Sequence, residues 1–159
     1  MIDIKQYLMV LTEGLKKKNR LLTGLVELNK KQADVIKQNG KLEEFDHIVE
    51  EKTVLIDEIN RVDNGFQTVY NRVSRELEAN KQIYKDEIHT LQELIRKMTH
   101  LGIEIEAGEA RNKMAIEQYF SYLHKDIHST KRSLKAANDY YKSMSGANFN
   151  DPRILDQKK

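Results

Sequence analysis

The stretch LLTGLVELNKKQADVIKQNGKLEEFDHIV, residues 21–49, carries the pattern that decides the fold. Its first part places one residue on the same helix face at alternating steps of three and four, as coiled-coil helices do: Leu22, Leu25, Asn29, Gln32 and Ile36. Asn39 and Gly40 then end this helix, because both tolerate the left-handed backbone conformation. We call such a row of regularly spaced residues on one helix face a seam. A second seam starts at Leu42 and Phe45. We therefore predict two long helices joined by a tight turn.

Outward from this stretch, the same spacing continues in both directions. The first seam reaches back to Ile4 and the second runs on to Leu77, with Lys18 and Lys52 as charged members. A third seam begins at Tyr84, crosses the polar run EAGEARNK at residues 106–113, and resumes at Ile116. We therefore predict helices at about residues 2–38, 42–78 and 84–144.

Helix lengths then indicate the architecture. At 1.5 Å per residue the first two helices are roughly 55 Å long, whereas a continuous third helix is roughly 90 Å long. We predict an all-α fold, an elongated antiparallel bundle or coiled coil of three long helices in which the third overhangs the others. The alternative is four helices with a break near Gly108.

Composition limits the class of protein. The 159 residues fit one domain, and 39% hydrophobic against 33% charged residues favours long helices with narrow apolar seams. The absence of cysteine excludes disulfides and thiolate metal sites. The first residues lack the basic and apolar regions of a signal peptide, and no span is apolar enough for a membrane. We expect a cytoplasmic protein with a single bundle domain at residues 1–146 and a flexible tail at 147–159.

Charge is segregated along the chain although the net charge is only +2. Residues 1–41 carry nine Lys or Arg and four acidic residues, whereas residues 42–58 carry seven acidic residues and one Lys. Attraction between antiparallel neighbours explains this pattern, and so do plain solvated helix faces. No segment is basic without acidic residues nearby, so we predict no nucleic-acid binding.

No catalytic or metal-binding constellation stands out. His124 and His128 are spaced like two metal ligands on one helix face. Glu117 is the one candidate for a third ligand, and it is not compelling. The favoured interpretation is therefore two solvent-exposed histidines. No glycine-rich phosphate loop occurs. A thin bundle also lacks the concave pocket of most small-molecule sites. We predict no enzyme activity, no cofactor and no metal.

The last part of the chain is unusually aromatic. It contains five of the eleven aromatic residues of the whole chain: Tyr119, Phe120, Tyr122, Tyr140 and Tyr141. If the third helix overhangs, this apolar seam has no internal partner. Two interpretations remain open: the seam packs against a fourth helix or a dimer mate, or it is an amphipathic helix that binds another protein.

Residues 21–63 resemble the amino-terminal half of the FlgN family of flagellar export chaperones. The resemblance rests on an LxEL element at Leu25–Leu28, a polar turn at Asn39, and an acidic second helix with Glu50 and Glu51. The stretch EARNKMAIEQYFSYLHKDI, residues 109–127, is similar to the family's Asn followed by an apolar carboxy-terminal helix, with Asn112 at that place.

The resemblance implies a non-enzymatic cytoplasmic chaperone. Such proteins bind hook-associated subunits, keep them unpolymerised and deliver them to the flagellar type III export apparatus. The family engages cargo with its carboxy-terminal helix, so we expect cargo to bury an amphipathic helix in this chain's last seam. The expected cargo-binding residues are Ile116, Phe120, Leu123, Ile127, Leu134, Tyr140, Tyr141 and Met144.

Three other functions remain open. The chain could be a self-associating coiled-coil scaffold, a related chaperone of the filament-cap protein, or a membrane-surface helix at the basic residues 125–142. The free protein is expected to be a monomer or a homodimer. In the tail, Ile154 and Leu155 are either anchors of a docking peptide or part of a disordered end, which is the favoured interpretation.

Overall fold

The computed structural model of the chain describes residues 3–123 and 127–145. The described residues form four α-helices and no strand: α1 (Ile4–Lys37), α2 (Leu42–Ala79), α3 (Lys85–Leu123) and α4 (Ile127–Ser145). The all-α prediction is confirmed, and the number of helices matches its four-helix alternative. The predicted docking residues of the tail, Ile154 and Leu155, lie outside the described residues.

The turn between α1 and α2 lies where its sequence predicted it. Asn39 has a φ of 51°, which is the left-handed conformation expected of an Asn at this place. The backbone N–H of Gly40 donates to the carbonyl of Val35 at 2.8 Å and closes α1. The side chain of Glu44 accepts from the backbone N–H of Lys41 at 3.3 Å and caps the start of α2. Local hydrogen bonds therefore satisfy both helix ends at the turn.

The three long helices pack along α1. Ion pairs from Lys17 to Glu58 (3.0 Å) and from Lys18 to Asp63 (2.7 Å) link α1 to antiparallel α2. The Asn19 side-chain amide donates to the Leu94 carbonyl at 3.1 Å, and thus joins α1 to α3. Further along, the amide of Asn112 donates to the carbonyl of Asn29, also at 3.1 Å. The residue number increases in both helices from the first contact to the second, so α1 and α3 are parallel.

The predicted seams form the core. The apolar members of the α1 seam from Ile4 to Leu25 are buried, and so are its polar members Lys18, Asn29 and Gln32. In α2, Phe45, Ile56 and Ile59 are completely buried, whereas Phe66 is only half-buried. The coiled-coil spacing thus identified which face of each long helix lies inside.

The predicted overhang of the third helix is wrong, because α4 folds back onto the bundle. Glu109 on α3 and Tyr140 on α4 are joined by a hydrogen bond, although a straight helix would hold these residues about 46 Å apart. α4 packs against α2. Folding back removes only part of the apolar face of α4 from water: Ala137 and Tyr140 are buried, whereas Leu134, Tyr141 and Met144 are half-buried.

α3 ends at Leu123 and α4 begins at Ile127, so the two helices are not divided near Gly108. Gly108 lies inside α3, where α1 comes close. A Cβ atom at this glycine would lie 3.2 Å from the Asn29 side-chain nitrogen. The glycine therefore serves the contact between two helices rather than a break in one. None of the helices in residues 3–123 and 127–145 combines the length and hydropathy of a membrane-crossing helix.

Candidate functional site

The predicted cargo-binding residues divide between α3 and α4, two helices that are linked by the hydrogen bond of Tyr140 to Glu109. Ile116 and Phe120 are buried on α3, and Leu123 is half-buried at its end. On α4, Tyr140 is buried. The remaining described members are half-buried: Leu134, Tyr141 and Met144. Ile127 begins α4, but its side chain lies outside what the structure describes. The chain itself therefore covers much of the surface that was expected to lack an internal partner.

A buried polar cluster lies where α4 meets the bundle. The Lys52 ammonium donates to the Glu109 Oε1 atom at 2.7 Å and to the Gln32 Oε1 atom at 2.9 Å. The other carboxylate oxygen, Glu109 Oε2, accepts from the Tyr140 hydroxyl. We refer to Lys52, Glu109 and Tyr140 as the latch cluster. It joins α2, α3 and α4, and Gln32 connects it to α1.

The latch cluster is almost completely buried. The side chains of Lys52 and Glu109 are 1% and 2% exposed, so both charges are removed from bulk solvent. A buried ion pair is tolerated only when both partners are also hydrogen-bonded. Gln32 supplies that additional bond for the ammonium, and Tyr140 supplies it for the carboxylate. Removing either charge alone would leave the other buried without a counter-ion.

Aromatic rings of α4 surround the ammonium. The Lys52 nitrogen lies 4.4 Å from the ring centroid of Tyr140 and 5.9 Å from that of Tyr141. Both distances are within the range of a cation–π contact. The two tyrosine rings meet edge to face, with their centroids 5.4 Å apart. The pair of tyrosines at the end of the chain is therefore explained by a buried lysine on α2.

Burial sets the protonation of these groups. It lowers the pKa of Lys52, an effect that the neighbouring Glu109 carboxylate opposes. Burial also raises the pKa of Tyr140 and Tyr141, and the negative charge of Glu109 raises both further. The Tyr140 phenol therefore keeps its proton and acts as the hydrogen-bond donor to Glu109.

An aromatic layer lies beside the α1–α2 turn. Phe45 stacks on Tyr119 with ring centroids 5.2 Å apart and meets Phe120 edge to face at 5.3 Å. The Tyr119 hydroxyl donates to the carbonyl of Gly40 at 2.9 Å. Burial, with the nearby Asp46 and Glu44 carboxylates, raises the pKa of Tyr119 to about 12. Phe120, a predicted cargo residue, is thus part of the core around the turn.

α4 is held by few large groups. Among its described side chains, only Ser133, Ala137 and Tyr140 are buried, and Tyr140 is the only large one. The hydroxyl of Tyr141 is buried without a hydrogen-bond partner, which weakens the contact further. In α3, by contrast, eleven residues are buried. Since hydrophobic stabilisation follows the apolar area removed from water, we expect α4 to be the least firmly attached helix.

Sequence reasoning missed Glu109 and the role of Lys52. In the sequence, Lys52 stands out only as a charged member of the second seam, and Glu109 lies in the polar run at residues 106–113. Both residues carry opposite charges at or near seam positions of two helices. This is the signal from which their pairing could have been predicted. Asn112, noted in the resemblance, donates to the Asn29 carbonyl and to the Gln32 Oε1 atom, each at 3.1 Å. It fixes α3 against α1 beside the latch cluster.

The metal hypothesis gains no structural support. In the described parts of the chain, no group of three or more His, Asp and Glu side chains is arranged to hold a metal ion. His128 is exposed on α4, whereas His124 lies outside the described residues. The site is therefore a surface of packed aromatic and aliphatic groups around one buried ion pair.

Comparison with known proteins agrees with the resemblance seen in the sequence. The model of one protein family, described as FlgN protein, matches residues 1–147. This span contains all four helices and ends shortly after α4. Neither the curated proteins nor the solved structures contain a significant match to the chain.

Proposed function

Because the chain belongs to the FlgN family of flagellar export chaperones, we propose that its cargo is one of the hook-associated subunits. It binds these subunits in the cytoplasm, keeps them unpolymerised and delivers them to the type III export apparatus. The work is done by binding alone, without catalysis or a cofactor. Cargo contacts the apolar face of α4 together with the end of α3.

The partly exposed apolar face of α4 is the observation that carries this proposal. Leu134, Tyr141 and Met144 are apolar residues that remain partly exposed in the free protein. They lie at steps of seven and three along one helix, which is the spacing of anchors in a helix-in-groove interface. A cargo helix can therefore start from these three residues and reach Tyr140 when α4 moves away from the bundle.

The energy available to such an interface is adequate. Complete burial of one large apolar side chain contributes about 1.5–3 kcal/mol. Ordering the interface and separating α4 from the bundle oppose this gain. Three or four anchors therefore support affinities around the micromolar range, which suits a chaperone that must later release its cargo.

Isothermal titration of the full-length chain with purified hook-associated subunits tests the proposal. We expect binding, and we expect Tyr141→Ala and Met144→Ala to weaken it by about tenfold each, equivalent to about 1.4 kcal/mol. Lys142→Ala and Ser143→Ala are matched controls, since both residues are exposed on the same turn of α4. Unchanged affinity in the first two variants would remove α4 from the cargo site.

The same titration separates the other functions. Binding of the filament-cap subunit in preference to hook-associated subunits would assign the chain to the related chaperone type. If neither kind of subunit binds, sedimentation equilibrium tests the self-associating scaffold. An average mass that rises from the monomer value towards the dimer value as the protein concentration increases would favour it.

A further inference from the structure

We infer that α4 is an autoinhibitory helix, and that Lys52 and Glu109 hold it in the closed position through Tyr140. In this position α4 covers part of its own cargo face. The inference rests on the proposed function, because it concerns the regulation of the same cargo site. It assigns to the latch cluster a role in controlling affinity, in addition to its role in packing.

Tyr140 contacts both charged residues of the ion pair. Its hydroxyl donates to Glu109, and its ring lies 4.4 Å from the Lys52 ammonium. The largest buried side chain of α4 therefore meets both members of the ion pair at once. A cargo helix that contacts Tyr140 must first separate it from these two groups.

The ion pair does not need α4 in order to remain satisfied. When Tyr140 leaves, the Lys52 ammonium keeps Gln32 and Glu109 as acceptors. The Glu109 Oε2 atom loses its donor, but departure of α4 opens that side of the carboxylate to water, which replaces the hydroxyl. The cluster thus permits α4 to leave while α1, α2 and α3 keep their own contacts.

The packing of the other helices supports the same conclusion. α1 contacts α2 and α3 along its length, whereas the main helix contact of α4 is with α2. Seam residues of α1–α3 that are distant from the latch cluster along their helices are buried as well, as at Leu8, Val73 and Leu91. We therefore expect α4 to open as a separate unit.

A closed helix lowers the apparent cargo affinity. If cargo binds only the open form, the measured dissociation constant is the intrinsic constant divided by the open fraction. A change that weakens the closed contact without altering the cargo face therefore tightens cargo binding by the factor by which the open fraction grows. A merely structural ion pair predicts no such increase.

Hydrogen exchange on the full-length chain without cargo is the first test. The variant replaces both members of the pair, Lys52→Met with Glu109→Leu, so that no unpaired charge is left in the core. We expect α4 amides to lose at least tenfold in protection while amides of α1–α3 keep theirs. Unchanged protection in α4, or loss of protection in all four helices together, would overturn the inference.

Cargo titration of the same double variant is the second test. Neither replaced residue belongs to the proposed cargo face, so an affinity at least tenfold higher than that of the natural chain is expected. If hook-associated subunits bind but with unchanged affinity, the autoinhibitory role fails and the proposed function stands. If exchange responds as expected but no subunit binds, α4 opens as inferred and the proposed cargo is wrong.

A third test measures a distance between α2 and α4 while Lys52, Glu109 and Tyr140 stay unchanged. It therefore does not depend on whether the double variant folds. The chain has no cysteine, so spin labels at Ala136→Cys on α4 and Glu50→Cys on α2 report one distance. Both positions are exposed and lie outside the latch cluster. We expect one short distance in the free protein and a longer one after hook-associated subunits bind. Binding with an unchanged distance would overturn the inference.

Discussion

Lys52 and Glu109 form the most demanding contact at the scale of single residues, because both charges are almost completely removed from water. Removing one member of a buried pair costs about 3–5 kcal/mol, whereas replacing both by apolar residues is often neutral. We therefore expect Lys52→Met alone, or Glu109→Leu alone, to reduce the free energy of unfolding by about that amount. The double variant should recover most of the loss.

Urea denaturation of the four proteins, analysed as a double-mutant cycle, measures the coupling. Additive losses in the double variant would mean that the two charges act independently. Exposed ion pairs such as Lys135 with Asp139 serve as a control, since their removal changes stability little.

Tyr119 makes stability depend on pH. Its pKa is raised from 10.0 to about 12, so the folded state favours the protonated phenol. The resulting stabilisation is complete below pH 10 and is lost as the pH rises from 10 towards 12. We expect Tyr119→Phe to cost about 0.5–1.5 kcal/mol at neutral pH through the lost hydrogen bond to Gly40.

The same variant should show a weaker loss of stability between about pH 9 and about pH 11 than the natural chain. Urea denaturation at both pH values measures the difference. Lys52, whose pKa is lowered, contributes with the opposite sign but equally in both proteins, so it cancels. Parallel pH profiles would show that the Tyr119 pKa is not raised by folding.

At the scale of elements, two glycines inside helices predict opposite effects of one substitution. A Cβ at Gly65 meets nothing within 4 Å, so Gly65→Ala should stabilise α2 by about 1 kcal/mol. A Cβ at Gly108 would lie 3.2 Å from the Asn29 nitrogen and 3.4 Å from its Cβ. Gly108→Ala should therefore destabilise the contact of α1 with α3 by about 1–3 kcal/mol.

Thermal unfolding of both variants checks this pair of predictions. The midpoint should rise for Gly65→Ala and fall for Gly108→Ala. A higher unfolding midpoint in both variants would mean that α1 moves away from α3 without a loss of stability. Helix propensity alone would then determine the effect of both substitutions.

The elements also show how far sequence reasoning reaches. The spacing of Leu22, Leu25 and Ile36, followed by Asn39, predicted α1 and its turn because local backbone preference and apolar spacing agree there. The end of α3 could not be predicted, because residues 124–126 contain no Gly, Pro or Asn to indicate a turn. A seam shows which face of a helix is buried but not which helix covers it. Tyr140 was therefore identified as a contact residue, while its partner on α3 was not.

At the scale of the whole molecule, the position of α4 decides the length of the particle. The longest helix, α3, has 39 residues and is therefore about 58 Å long. With α4 folded back, we expect small-angle X-ray scattering to give a largest dimension of about 60–75 Å for the described bundle. A continuous helix over residues 84–144 would require roughly 90 Å. A maximum near that larger value would contradict the closed arrangement in solution.

The order of the helices has a consequence for the protein during its synthesis. The 19 residues of α4 are translated last among the helices, and at 5–20 residues per second they take about 1–4 s to be added. The contacts of α1 with α2 can form before α4 is synthesised, because both helices precede it in the chain. The part of the α2 surface that α4 covers is therefore exposed until α4 is complete, and the chain at that stage corresponds to the open form.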